Sequence, residues 1–277
     1  MAAITVIGLY LLIKPVTEEL HVCAARLKSV KNQGSDMKLT DYKALTFDVY
    51  GTLIDWESGM VAGLEPLTAQ VSRELSRDTI LEAHAFHESG AQAQTPAKLY
   101  SDVLALVYRR LAEEWGVAVS WEECRTYGAS VADWPAFPDS REALAYLRAH
   151  YTLVVLSNVD NASFARSDEK LGRPFHVVCT AEDAGSYKPD DRNFEYMLRV
   201  LDRQGIGKGD ILHTAESMFH DHVPATRHGL ATCHIYRRHD RPGFGATMHP
   251  GDVPEVGVRF TSMAKMVAAH RAETGGA

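Results

Sequence analysis

Five short apolar runs constrain the fold more than any other feature of the chain: ALTFDV (44–49), TLVVLSN (152–158), HVVCTAED (176–183), DILHTAES (210–217) and ATCHIYR (231–237). Each is apolar on consecutive residues rather than on alternate ones, as strands covered on both faces are. The last four are separated by segments with helical spacing or turn residues, the pattern of βαβ units. The expected fold class is therefore α/β, with a Rossmann-like parallel sheet.

About a hundred residues separate the first run from the second, far more than a crossover needs. Residues 57–134 contain MVAGLEPLTAQVSREL, RDTILEAHAFHESGAQAQ, LYSDVLALVYRRLAEEWG and SWEECRTYGASVADW, all with apolar residues three and four apart. This interval is expected to be an inserted helical cap, with 38–56 and 135–277 forming the core. Pro135 and Pro138 punctuate the return, and Asp139 or Ser140 is expected to cap the next helix. Residues 1–37 are set apart as an N-terminal appendage. Its apolar stretch ITVIGLYLLI is ten residues long, about half of a bilayer span, and Met37 is expected to open the domain proper.

A formal charge of −7 offers no basic surface for a phosphate backbone, which excludes nucleic acid as a partner. Cys23, Cys124, Cys179 and Cys233 are far apart and form no CxxC pair, so neither zinc nor disulfides are expected, and the location expected is the cytoplasm. The partner expectations are a small-molecule substrate, no membrane, and a homodimer as the candidate assembly.

In open parallel sheets, ligands bind beyond the carboxyl ends of the strands. Asp48, Ser157 with Asn158, and Glu216 each stand at or just after the end of an apolar run, so the fold should gather them on one edge. Any one of them alone could be a turn or cap residue.

In order, FDVYGTL, VVLSNVD, GSYKPD and HTAESMFHD resemble the four motifs of the haloacid dehalogenase superfamily, over residues 44 to about 240. Tyr50, the YKPDDRNFEYML run and the place of the insertion are most similar to the L-2-haloacid dehalogenases. The resemblance implies that Asp48 is a nucleophile forming a covalent ester or acyl-phosphate. It implies that Lys188 keeps Asp48 ionised, that Thr52 hydrogen-bonds it, and that Asp221 positions the hydrolytic water. Tyr50, Ser157 and Asn158 would bind substrate. Phosphatases of the superfamily carry an aspartate where Tyr50 stands, to protonate a leaving oxygen; a halide needs no proton. The activity implied is hydrolytic dehalogenation of small 2-haloacids, with no cofactor required.

Three departures from that pattern stand out. The early-insertion arginine that holds the substrate carboxylate has no counterpart in ILEAHAFHESGAQ, which leaves His84, His87 or Glu88 to line the cavity. Phe194 replaces a tyrosine. Glu216 and Met218 replace a serine and an asparagine. Glu216 and Asp221 are five apart, the spacing of the acidic pair that holds magnesium with the nucleophile in superfamily phosphatases. Mg2+ at Asp48, Glu216 and Asp221, in a phosphatase-type hydrolase, is thus the alternative reading.

Overall fold

In the computed structural model, which describes residues 37–275, the five runs are five strands of one sheet. They are β1 (Ala44–Phe47), β2 (Thr152–Ser157), β3 (Val177–Thr180), β4 (Ile211–Ala215) and β5 (Ala231–Ile235). A sixth, β6 (Val258–Phe260), joins at the edge. The order is β3-β2-β1-β4-β5-β6, every pairing is parallel, and helices flank the sheet. The apolar pattern does not announce β6. It has three residues and one neighbour, and its side chains stay partly or fully exposed, so it needs no continuous apolar run.

β1 lies between β2 and β4, so the order reverses beside it, and this is where a crevice opens in such sheets. Phe47 is level with Val155 on one side and Thr214 on the other. Asp48 therefore leaves the sheet where β2 and β4 also run out. The same register puts Thr46 beside His213, and residues paired across parallel strands point to the same face. Below this edge, Ala44, Val154, Leu156, Cys179 and Ile211 pack against Phe194, Met197 and Leu201 of the helix Asp191–Asp202.

Between β1 and β2 the chain is helical. The helix Trp56–Thr68 is capped by Asp55, whose side chain accepts from Ser58 N, and Pro66 falls in its last turn. Arg77–Gln94 is capped by Ser76, Tyr100–Trp115 ends at Gly116, and Trp121–Ala129 opens with a Ser120–Glu123 capping box. Two glycines let these helices close on their neighbours. A Cβ at Gly128 would come within 2.2 Å of Ser101 O, and one at Gly59 within 2.3 Å of Trp134.

Asp139 stands at the expected cap position. The helix Ser140–Leu147 does start there, but Asp139 makes no side-chain cap to it. Its carboxylate instead pairs with Arg237 and accepts from Ala264 N, in the first turn of the helix Met263–Glu273. A cation and a second helix start compete successfully for the same oxygens.

Cys124, Cys179 and Cys233 are buried free thiols. Cys23 and the expectations for residues 1–36 lie outside the described residues. Among the described residues no helix is long and apolar enough to cross a membrane.

Candidate active site

At the carboxyl edge, Asp48 is 6% exposed and Lys188 1%. Lys188 Nζ donates to Asp48 Oδ1 at 2.9 Å, to Asp221 Oδ1 at 2.7 Å and to Leu156 O at 2.9 Å. All three ammonium hydrogens are thereby engaged. Thr52 Oγ1 donates to Asp48 Oδ2 at 2.7 Å and accepts from Glu216 N at 2.9 Å, which ties the turn after β1 to the end of β4. Asp221 is fully buried in the π-helical turn Met218–His222, which Ser217 caps.

A second donor holds Asp221 from below. His213 Nε2 lies 3.0 Å from Asp221 Oδ1 and its Nδ1 lies 2.8 Å from Thr46 Oγ1. An ionised carboxylate only accepts, so Nε2 carries the hydrogen. His213 escaped the sequence reading. The available signal was a histidine inside an otherwise apolar run, since a residue at the centre of a two-faced buried strand must satisfy both ring nitrogens indoors.

The electrostatics separate the two carboxylates. Burial works against ionising Asp221, but Lys188 and His213 outweigh it and hold its pKa well below the usual carboxylate range. Asp48 is shifted upward, chiefly by burial, with Asp221 adding repulsion and Lys188 and Thr52 only partly offsetting them. As pH falls, the first proton goes to Asp48. Burial alone would lower the Lys188 pKa, but Asp221 and Asp48 together raise it.

Asp48 and Lys188 open on a cavity lined also by Tyr50, Trp56, Glu88, Tyr100 and Ser157. It is a narrow cavity, with a volume of about 20 Å3. The Ser157 hydroxyl is buried there and has no partner among the described residues. The Tyr50 ring forms a wall while its hydroxyl lies 2.9 Å from Ser167 Oγ. Asn158 also lines this cavity. Its Nδ2 donates to Lys188 O at 2.9 Å and its Oδ1 accepts from Lys188 N at 2.6 Å, which fixes the backbone that carries the lysine and leaves one amide hydrogen over. Of the three insertion residues, Glu88 lines the cavity. His84 is fully buried, with Nδ1 3.5 Å from Glu88 Oε2, and His87 turns to Glu114.

Glu216 stands apart from this group, lining a neighbouring cavity with Glu57, Arg237 and Arg238. Among the described residues no three His, Cys, Asp or Glu side chains converge as metal ligands, and Asp221 Oδ1 is already taken by Lys188 and His213. The residues as arranged do not fit Mg2+. Burial, then the Glu57 and Asp48 carboxylates, push Glu216 up to about 8, so it is protonated at neutral pH. A carboxyl whose folded pKa lies above its ordinary 4.5 costs the fold stability as pH rises from 4.5 through about 8. Glu216→Gln is expected to melt higher than the parent, by a margin that grows across this window and then levels off. A gap that stays constant from pH 5 to 9 in thermal melts would contradict the assignment.

The sheet order, the strand-end carboxylate and its buried lysine define an α/β enzyme with a Rossmann-like core. The model of the haloacid dehalogenase-like hydrolases matches residues 42–213, and the chain belongs to that family. The match includes Asp48 and Lys188 and stops before Asp221. The chain is 25% identical over 207 residues to (S)-2-haloacid dehalogenase 4A of Burkholderia cepacia, covering 73% of this chain and 86% of that one. The L-2-haloacid dehalogenase of Xanthobacter autotrophicus with chloropropionic acid covalently bound has the same fold, with a TM-score of 0.66, 15% identity, and 83% and 98% of the two chains covered. So does the HAD hydrolase YfnB of Bacillus subtilis bound to magnesium, with a TM-score of 0.64, 16% identity, and 83% and 99% covered.

Proposed function

We propose that this hydrolase cleaves carbon–halogen bonds in small 2-halo acyl compounds, the class typified by 2-haloacids, through a covalent ester on Asp48. The observation that carries the reading is the pairing of Asp48 with Lys188 at 2.9 Å on a small cavity, with Tyr50 two residues after it. A phosphomonoester or similar oxygen leaving group needs a proton, and general acids contribute about 10²- to 10⁴-fold. Burial raises the pKa of the Tyr50 hydroxyl, which is committed to Ser167, so it is a poor acid. A halide departs without one.

In this reading an Asp48 oxygen attacks the halogen-bearing carbon as the halide leaves with the bonding electrons. Water then adds to the Asp48 carbonyl carbon, releasing a 2-hydroxy product and one proton and restoring the carboxylate. Asp221, held ionised by Lys188 and His213, keeps Oδ2 unpartnered and buried, which supports a part in orienting that water. The names of the relatives support the same chemistry.

Purified protein incubated with chloro-, bromo- and fluoro-acids and their derivatives should release halide, at a rate that chelator does not change. Phosphate release from phosphate esters that chelator abolishes and Mg2+ restores, with no halide from any compound, would overturn the reading in favour of a phosphatase.

A further inference from the structure

The cavity carries a charge balance that a carboxylate-bearing substrate does not suit. Among the described residues its one cation is Lys188, which has all three hydrogens committed to Asp48, Asp221 and Leu156 O. Asp48 and Asp221 together already exceed that charge. Glu88, 4% exposed, adds a further carboxylate to the wall, anchored by Gln92 Nε2 at 3.0 Å from its Oε1. His220, also on the lining, has its pKa lowered by burial and is neutral at pH 7. A substrate carboxylate would leave water to meet an acidic wall without a free cation, an unfavourable transfer. The donors and acceptors that are available suit a different group. The unpartnered Ser157 hydroxyl can donate to a carbonyl oxygen, and Glu88 can accept from an N–H.

We infer that Glu88 selects a 2-halo acyl substrate whose acyl end is an uncharged amide rather than a carboxylate. The inference rests on the dehalogenation reading above. A carboxamide retains the carbonyl beside the reacting carbon, brings no charge, and offers Glu88 a further N–H beside the one it accepts from Gln92. The overall reaction converts the 2-haloamide and water to the 2-hydroxyamide, halide and one proton. The amide bond is untouched.

The test compares halide release from 2-chloropropionamide and 2-chloropropionate by the full chain. The wild type is expected to favour the amide by tenfold or more in kcat/KM. Glu88→Gln should shrink that ratio, chiefly through KM for the amide, and Glu88→Arg should reverse it. A wild type that releases halide faster from the carboxylate, with an adduct still forming on Asp48, overturns the inference and leaves the dehalogenation reading standing. So does a folded Glu88→Gln enzyme with an unchanged ratio. No halide from either compound, nor from other 2-halo compounds, removes the reading and the inference with it.

Discussion

Asp48→Asn is expected to abolish halide release, by about 10⁴-fold or more, because an amide oxygen in this position does not displace halide at a useful rate. The loss should come without unfolding. Asparagine can still accept from Thr52, and the exchange leaves Lys188 facing Asp221 as a one-to-one pair, so the variant melts close to the parent. The same residue provides a positive signature. In a single turnover in heavy-oxygen water the product should carry an unlabelled Asp48 oxygen, while the peptide containing Asp48 gains one heavy atom. Further turnovers then move label into product. Label appearing directly in the first product, with residue 48 unmodified, means that water attacks the carbon itself and that Asp48 is not the nucleophile.

Much of this site is written in the strand ends. A continuous apolar run states that a strand is covered on both faces, and the first polar residue after it must lie at the sheet edge, which is why Asp48 and Ser157 could be placed from sequence. Thr52 and Lys188 needed the motif as well, since neither a threonine in a turn nor a lysine before a proline is distinctive alone. The helices of the insertion were readable from spacing and caps, and RDTILEAHAFHESGAQAQ coincides with Arg77–Gln94. What escaped depends on direction. Asn158 and Glu216 both follow strands. Yet Asn158 lines the cavity with Asp48 and Ser157, whereas Glu216 lines the next one beside Glu57 and Arg238. Position along the chain marks the edge of the sheet, whereas rotamers and neighbours decide which residues face the substrate. His213 escaped for a related reason: its partner, Asp221, arrives from a turn eight residues later, which no periodicity encodes.

Lys188→Met should be costly twice, because in the proposed reaction the ammonium polarises the reacting site and in the fold it joins two buried carboxylates. Removing it leaves Asp48 and Asp221 in a buried space with their shared cation gone, and breaking a buried pair in this way typically costs about 3–5 kcal/mol. Asp221 retains His213, so Asp48 is the carboxylate that takes up a proton, and a protonated Asp48 is not a nucleophile. Halide release should fall to background with no recovery up to pH 9. The stability deficit should depend on pH in a defined direction. The folded Lys188 pKa lies above its ordinary 10.5, so the wild type enjoys the pairing throughout the neutral range and loses it only in strong alkali. The variant recovers part of the deficit in acid, where Asp48 accepts its proton readily. Melts at pH 5 and pH 7.5 should therefore show a smaller gap at the lower pH. Adding Asp221→Asn to Lys188→Met removes one stranded charge, and the double variant should lose clearly less than the sum of the two single losses. Strict additivity, or a gap that widens in acid, would mean that the lysine and the two aspartates do not act as one electrostatic unit.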